Sequence, residues 1–180
     1  MIELLPAEVR SLHTPGGLVL ESPVAPGAPA RCVGDWLVRW ARDRPDATFL
    51  AERDRSGDWM RLSYGDALAA VEGIASSLLD RGGAPDRPVM ILSDNSIASG
   101  LVALGAMHAG IPAAPVSSAY SLQSASFGRL RAVAEQLRPG FVFTDDPVRF
   151  VPAPVTIERA SLPRRLESEY SVFVAYWLSL

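Results

Sequence analysis

Two short groups of polar side chains have the types and the spacing to contact a ligand. Ser93-Asp94-Asn95 follows one apolar run, and Ser117 to Ser121 follows another. In α/β proteins, anions and other ligands bind where a parallel strand ends and a helix begins. Ser, Asp and Asn also favour helix N-caps, so capping is our preferred interpretation of the first group, in which Asp94 would repel an anion. The second group either lines a ligand site or forms a polar loop that caps a helix at Ser124.

The basic residues exclude several reaction classes. All 17 are arginine, and the sequence has no lysine. A Schiff-base enzyme needs a lysine amine, and a β-lactamase-type site, of which Ser93-Asp94-Asn95 would be one element, also needs Ser-x-x-Lys. Gly100 and Gly105 have the glycine spacing of a phosphate-binding loop, but Ala106-Met107 follows where that loop has Lys and Ser or Thr. We interpret these glycines as small mid-helix residues that allow close packing on a sheet.

The remaining titratable side chains do not assemble a catalytic or metal site. Cys32 is the only cysteine, and the two histidines, His13 and His108, lie far apart in sequence. A structural zinc site needs about four nitrogen or sulfur ligands, more than these residues supply. His108 is expected in the last turn of a helix, where packing or capping is its expected role. His13 receives no role, and the sequence therefore predicts no catalytic and no metal-binding residues, with cofactor-binding residues unknown.

The elements that would position the polar groups follow from hydrophobic spacing. A helix is predicted from Val33 to Ala41, followed by a hairpin of Thr48–Glu52 and Trp59–Leu62. Ser63 and Asp66 resemble a capping box at the start of a second helix, which Gly82-Gly83 ends in a left-handed turn. The apolar stripe of that helix is expected to include Ala67, Val71, Ile74 and Leu78, with Leu68, Ala75 and Leu79 beside it.

Three apolar strands then alternate with two helices. The strands are Pro88–Leu92, Ile111–Val116 and Phe141–Thr144, and the helices run from about Ser96 to Ala109 and from Ser124 to Leu137. Continuous apolar strands alternating with helices indicate a parallel sheet that is covered on both faces. The predicted fold class is therefore α/β, with a parallel-sheet βαβαβ core at about 88–144 preceded by a hairpin and a helix. One face of the last helix carries Phe127, Leu130, Ala134 and Leu137.

Composition and charge bound the organisation of the chain. We expect an irregular N-terminal arm at 1–32, a partial domain at 33–150 and a divergent tail at 151–180, which ends in an apolar run. That run is either a final strand or helix docked on the core, or the product of a truncation or an altered reading frame. The net charge of −3 argues against nucleic-acid binding. Glycine and proline interrupt the longest uncharged run, so we expect no membrane association and a cytoplasmic location.

The order of the motifs resembles that of the AMP-forming acid–CoA ligases, a family of adenylating enzymes. LSYGDAL at Leu62–Leu68 and ALGAMHAGIPAAPVS at Ala103–Ser117 look like two of the family's conserved elements, and RPDATFLAERD and DRPVMILSDNS fit the segments between them. The stretch from Ala106 to Leu122 is most similar to feruloyl-CoA synthetases, although Ser118 replaces a proline that is usual there. The resemblance extends from about Arg10 to Phe150 and implies an incomplete N-terminal part of the adenylating-enzyme fold.

The resemblance also implies a reaction and its cofactors. Members of the family join a carboxylic acid to ATP, release pyrophosphate and pass the acyl group to CoA, with Mg²⁺ and cationic side chains stabilising the phosphoryl charge. The family's phosphate loop and its lysines have no counterpart here, so no catalytic residue can be assigned by resemblance. Ser117 to Ser121 would at most approach a CoA or acyl channel. ATP, Mg²⁺ and CoA are thus expected for the full-length family, with none bound tightly by this chain.

Two functional hypotheses follow. The first is the N-terminal fragment of a feruloyl-CoA synthetase-like ligase, inactive alone, whose family implies a hydroxycinnamic-type acid as substrate. The second is a non-catalytic binding or assembly module that complements a separately encoded remainder in trans. Whether the chain acts as an enzyme is left open by the sequence.

Overall fold

The computed structural model describes residues 8–25, 27–123, 127–150, 157–160 and 174–178. The chain divides into two compact units, Met1–Arg31 and Cys32–Leu180. In the first unit, β1 (Arg10–Thr14) and β2 (Gly17–Glu21) pair as an antiparallel hairpin in which Leu12 faces Val19. The segment expected to be irregular thus contains a hairpin, in which two short runs with apolar residues flank the turn at Pro15-Gly16. All residues of both strands are exposed.

The second unit begins with a helix and a second hairpin, as the sequence predicts. Helix α1 spans Val33–Asp43, and β3 (Thr48–Arg53) pairs antiparallel with β4 (Trp59–Ser63). Asp54 closes the turn between the strands, because its carboxylate accepts hydrogen bonds from the backbone of Ser56 and Asp58, each at 2.9 Å. These donors and the Ser56 hydroxyl hold the pKa of Asp54 below its usual value, the Ser56 side chain contributing most.

Helix α2 (Tyr64–Asp80) has the predicted ends. The Ser63 hydroxyl accepts the Asp66 amide at 3.1 Å, but it also donates to the Asp66 carboxylate at 2.6 Å. The short Asp66 side chain therefore bonds to the Ser63 hydroxyl. In a complete capping box, the acidic side chain would accept a hydrogen bond from the backbone amide of Ser63. At the other end Gly82 has φ +77°, and the Gly82 and Gly83 amides bond to Leu79 and Leu78 as in a Schellman motif. The predicted stripe is buried, whereas Leu79, which was expected beside it, is 52% exposed.

A five-stranded sheet forms the centre of the second unit, and its first part has the predicted order of strands and helices. The elements are β5 (Val89–Ile91), α3 (Ile97–His108), β6 (Ala113–Pro115), α4 (Ala119–Leu122), α5 (Gly128–Leu137), β7 (Phe141–Thr144), α6 (Pro147–Phe150), β8 (Ile157–Ala160) and β9 (Val174–Leu178).

The strand order is β6-β5-β7-β9-β8. The parallel pairs place Ile91 opposite both Pro115 and Phe143, which confirms the predicted βαβαβ core. Strand β9 pairs antiparallel with β7 and with β8. Residues 174–178 of the final apolar run thus form a strand that joins the sheet.

Strand β5 is covered on both of its faces. Val89 and Ile91 point to one face, where they pack with α2 and α3, and Met90 and Leu92 point to the other, where they pack with Leu130 of α5. This alternation within a continuous apolar strand is the reason that the strand carries no polar side chain.

The connection between β6 and β7 differs from the prediction. A single helix from Ser124 was expected, but that start lies outside the described residues. The structure has the short helix α4 before this point and the helix α5 from Gly128. Phe127 adopts a left-handed conformation with φ +52° before α5, so it packs against the second face from outside the helix. The other expected members of its apolar face, Leu130, Ala134 and Leu137, do belong to α5.

Candidate functional site

The two polar groups that the sequence singles out meet at one cleft. The cleft has a volume of about 350 Å³ and lies at the carboxyl ends of β5 and β6. It is lined by Ser93, Asp94, Asn95, Pro115, Val116, Ser117 and Ser118. The groups converge because β5 and β6 are adjacent and parallel, so that the loops following them leave the same edge of the sheet. The arrangement offers three hydroxyl groups and one amide to a ligand.

Helix α3 begins beside this cleft, but Ser93-Asp94-Asn95 does not cap it. The N-cap is Ser96, whose hydroxyl accepts the Ser99 amide at 3.1 Å, while the Ser99 hydroxyl accepts the Ser96 amide at 3.1 Å. The interpretation of Ser93-Asp94-Asn95 as N-cap residues was therefore wrong, because the N-cap is the next residue along the chain. Since Ser96 and Ser99 satisfy the helix end together, the side chains before them remain available to the cleft.

Glu52 of β3 also reaches the start of α3. Its carboxylate oxygen Oε2 accepts the Ile97 amide at 2.7 Å, a contact between residues 45 positions apart. A carboxylate at a helix N-terminus is stabilised by the exposed amides and by the helix dipole. The sequence analysis missed this residue, because nothing local in the hairpin indicates which helix end its side chain will meet.

Asp94 connects the ends of β5 and β7. Its carboxylate forms an ion pair with Arg149 of α6 at 2.8 Å, and both side chains are about half exposed. The Arg149 guanidinium also lies 5.1 Å from the ring centroid of the buried Phe150. The ion pair holds the two loops together with a modest energy, because solvent screens half-exposed charges.

Two buried polar atoms have no hydrogen-bond partner among the residues that the structure describes. They are the hydroxyl of Ser121, which is 7% exposed, and the Oδ1 atom of Asp145, which follows β7. Ser121 belongs to the second predicted group but lies on α4, outside the lining of the cleft. The structure thus places Ser117 and Ser118 in the cleft and buries Ser121 behind them.

The other residues considered from sequence are not among those that line the cleft. Gly105 lies on α3 so close to α2 that an added Cβ would come within 2.5 Å of Ile74, which supports the interpretation as a small residue. His108 ends α3, with its Nδ1 atom beside Gly34 of α1. Cys32 precedes α1 and donates to the Asp35 carboxylate at 3.4 Å, and His13 pairs with Leu18 in the N-terminal hairpin.

Metal binding and membrane crossing can be judged on the part of the chain that the structure describes. Within it, no group of three or more His, Cys, Asp or Glu side chains is placed to hold a metal ion. None of its helices combines the length and the apolar character that crossing a membrane requires.

Comparison with solved structures finds the same fold in several adenylating enzymes. A fatty acyl-adenylate ligase of Legionella pneumophila, solved with acyl adenylate and pyrophosphate, matches 63% of this chain and 20% of its own, with a TM-score of 0.57 and 17% identity. The N-terminal subdomain of NpsA from Klebsiella oxytoca, bound to 3-hydroxyanthranilyl-AMSN, matches 63% of this chain and 27% of its own. The TM-score is 0.51 and the sequence identity is 20%. A protein of Rhodopseudomonas palustris described as a candidate long-chain-fatty-acid CoA ligase matches 62% of this chain and 26% of its own. The TM-score is 0.52 and the sequence identity is 26%.

The chain therefore spans between a fifth and about a quarter of the length of these structures. No curated protein sequence matches it. The sequence profile of the family described as AMP-binding enzyme, however, matches residues 37–174, which include α2, the parallel strands and both polar groups of the cleft. With more than half of its length covered by that profile, this chain belongs to the AMP-binding enzyme family.

Proposed function

We propose that this chain supplies the N-terminal part of an ATP-dependent acid–CoA ligase that is similar to feruloyl-CoA synthetase. In the reaction, the carboxylate attacks the α-phosphate of ATP to give an acyl-adenylate and pyrophosphate, and the CoA thiol then displaces AMP. The observation that carries the proposal is the family match over residues 37–174. The choice of a hydroxycinnamic-type acid rests on the similarity of Ala106–Leu122 to feruloyl-CoA synthetases.

We further propose that the chain does not catalyse adenylation by itself. Phosphoryl transfer needs cations directed at the transferring group, and those here would have to be arginine because there is no lysine. No cation is among the side chains lining the cleft, and Asp94 contributes a carboxylate to it. The lining of this cleft, as far as the structure describes it, thus does not fit a triphosphate with Mg²⁺, and we assign no step of the reaction to its residues.

The experiment is ATP–pyrophosphate exchange by the purified chain in the presence of ferulate and Mg²⁺. We expect no exchange above a control without protein. A full-length acid–CoA ligase assayed in parallel establishes that the conditions support adenylation. Exchange by the chain at a rate comparable to that enzyme would contradict the proposal that it is inactive alone.

A second candidate function is an assembly module that complements a separately encoded remainder of the enzyme. The observation that favours it is the N-terminal hairpin, in which Leu12, Leu18, Val19 and Leu20 are between 47% and 64% exposed. A two-stranded hairpin with exposed apolar residues is marginal in water, so a partner would stabilise it. Co-expression with a candidate remainder should give a complex with ligase activity, whereas two soluble proteins that do not associate would contradict this alternative.

A further inference from the structure

The hairpin of β3 and β4 has an outward face that combines two arginines with an exposed tryptophan. Side chains alternate between the two faces of a strand pair. Glu52 and its cross-strand partner Met60 face the body of the unit, because the Glu52 carboxylate reaches α3. Arg53, Trp59 and Arg61 therefore point outward, and we call these three residues the cationic face. Trp59 is 52% exposed, and the Cζ atoms of the two arginines lie 4.2 Å and 6.0 Å from its ring centroid.

The two arginines of the cationic face carry charge that the chain does not neutralise. Neither Arg53 nor Arg61 forms an ion pair among the residues that the structure describes. Of the acids in the same hairpin, Glu52 reaches α3, the Asp54 carboxylate accepts hydrogen bonds inside the turn, and Asp58 lies in that exposed turn. A guanidinium stacked on an indole keeps N–H groups at its edge, where the oxygens of a carboxylate can accept them.

Helix α2 presents the opposite charge on its outer side. Glu72, Ser76, Leu79 and Asp80 are exposed, and their spacing of i, i+4, i+7 and i+8 places them on one side of the helix. The last turn of α2 contains no basic residue, and neither carboxylate forms an ion pair within the described part of the chain. Leu79 is 52% exposed between these charges. We call Glu72, Leu79 and Asp80 the acidic face.

We propose that the cationic face of one copy of this chain binds the acidic face of another copy. Each face has one large apolar side chain, Trp59 or Leu79, beside charges that lack a partner of opposite sign. An aromatic anchor with arginine beside it is typical of the centre of protein interfaces. A nucleic acid is disfavoured as the occupant of the cationic face, because the chain carries a net charge of −3 and repels a polyanion. The two faces differ, so the contact occurs twice in a two-fold dimer or repeats head to tail.

The test is sedimentation equilibrium of the 180-residue chain over a series of protein concentrations. We expect the mean mass to rise with concentration. We also expect the association to weaken between ionic strengths of about 0.01 M and about 1 M, because the Debye length falls from about 30 Å to about 3 Å. A chain that stays monomeric at its highest soluble concentration would overturn the proposal. An association that salt leaves unchanged or strengthens would also overturn it, and would assign the contact to exposed apolar residues such as those of the N-terminal hairpin.

Two charge reversals sharpen the test. Arg61→Glu and Glu72→Arg should each weaken self-association roughly tenfold, because like charges then meet across the contact. An equal mixture of the two variants should associate again, since the altered face of each complements the altered face of the other. Arg131→Glu, at an exposed position of α5, is the matched control and should associate like the unaltered chain.

Circular dichroism establishes that each variant is folded. Arg53→Glu replaces Arg61→Glu if that variant unfolds, and Asp80→Arg likewise replaces Glu72→Arg. Folded variants that still associate separately, or a mixture that fails to associate, would overturn the proposed pairing of the two faces. Because mass is measured without ATP or an acid, the outcome is independent of the ATP–pyrophosphate exchange that tests the proposed function.

Discussion

Helix α3 contributes to two regions of opposite character. Its middle packs against α2, where Leu101 and Ala106 are fully buried and Gly105 meets Ile74. Its beginning lies beside the cleft, where Asn95 is exposed and Asp94 is half exposed. The first region has no polar side chains to satisfy, whereas the second holds its hydrogen-bonding groups at the surface.

The difference between the regions shows how stability and binding are separated along one helix. The packed middle and the capped end hold α3 in place without using the residues that line the cleft. We therefore expect substitutions to reduce stability steeply in the packed region and little in the cleft, and the following experiments test this gradient.

The largest effect is expected from Leu101→Ala, which removes a fully buried side chain between α2, α3 and the sheet. The lost contacts and the remaining cavity should lower the free energy of unfolding by about 3 kcal/mol. Leu79→Ala is the control, since Leu79 is 52% exposed and its truncation should cost less than about 0.5 kcal/mol. Urea denaturation followed by tryptophan fluorescence measures both. Equal losses of unfolding free energy in the two variants would contradict the conclusion that the contact between α2 and α3 is the tightly packed region.

Gly105→Ala tests how closely the two helices approach. A Cβ there would lie 2.5 Å from the Ile74 Cγ2 atom and 2.8 Å from its Cβ, so we expect a loss of about 2 kcal/mol from overpacking. Gly100→Ala on the same helix is the matched control. Its Cβ would meet only Leu50 at 3.6 Å, and the gain in helix propensity should stabilise the protein by up to about 1 kcal/mol. If Gly105→Ala also stabilises the fold, then α3 does not approach α2 as closely at Gly105 as the structure shows.

Ser96→Ala tests the boundary between the regions. The change removes the N-cap that accepts the Ser99 amide, and a loss of about 1 kcal/mol in the free energy of unfolding is expected. Ser76→Ala, at an exposed position within α2, makes the same chemical change without a cap and should be neutral or slightly stabilising. The cap has no energetic role if the two variants unfold at the same urea concentration.

Asn95→Ala and Ser117→Ala test the cleft itself. Both side chains are exposed, and neither has a described hydrogen bond that the fold requires, so each change should alter stability by less than about 0.5 kcal/mol. A stability loss as large as that of Ser96→Ala would show that the cleft residues support the fold.

The smallest effect is expected at Asp54, which lies in the exposed turn between β3 and β4 and belongs to neither region. Because hydrogen bonds from Ser56 and neighbouring amides lower the pKa of Asp54, its contribution to stability is present above the pKa of the unfolded chain. It is lost as the pH falls through the lower pKa of the folded state. Asp54→Ala should therefore reduce stability at neutral pH but not at a pH where the carboxyl is protonated in both states. A difference that persists at such an acidic pH would assign the effect to packing.

Much of the fold was predictable because its determinants are local. Gly82 ends α2 and Gly110 ends α3 with positive φ, and Ser63 starts α2, each through bonds to residues a few positions away. The apolar strands were recognisable because both of their faces are buried. The split between α4 and α5 was not, since the conformation of Phe127 depends on how it packs against the second face of the sheet.

The cleft was only half predictable. The sequence by itself determined which residues are polar at the ends of β5 and β6, and it determined that no lysine is present to bind phosphate. Only the tertiary structure brought the two groups together, because strand order decides which loops share an edge, and order is a property of long-range pairing. The tertiary structure likewise decided that Glu52 meets Ile97 across 45 positions. Spacing along a chain determines caps and periodic faces, whereas a site between loops depends on contacts that no local pattern encodes.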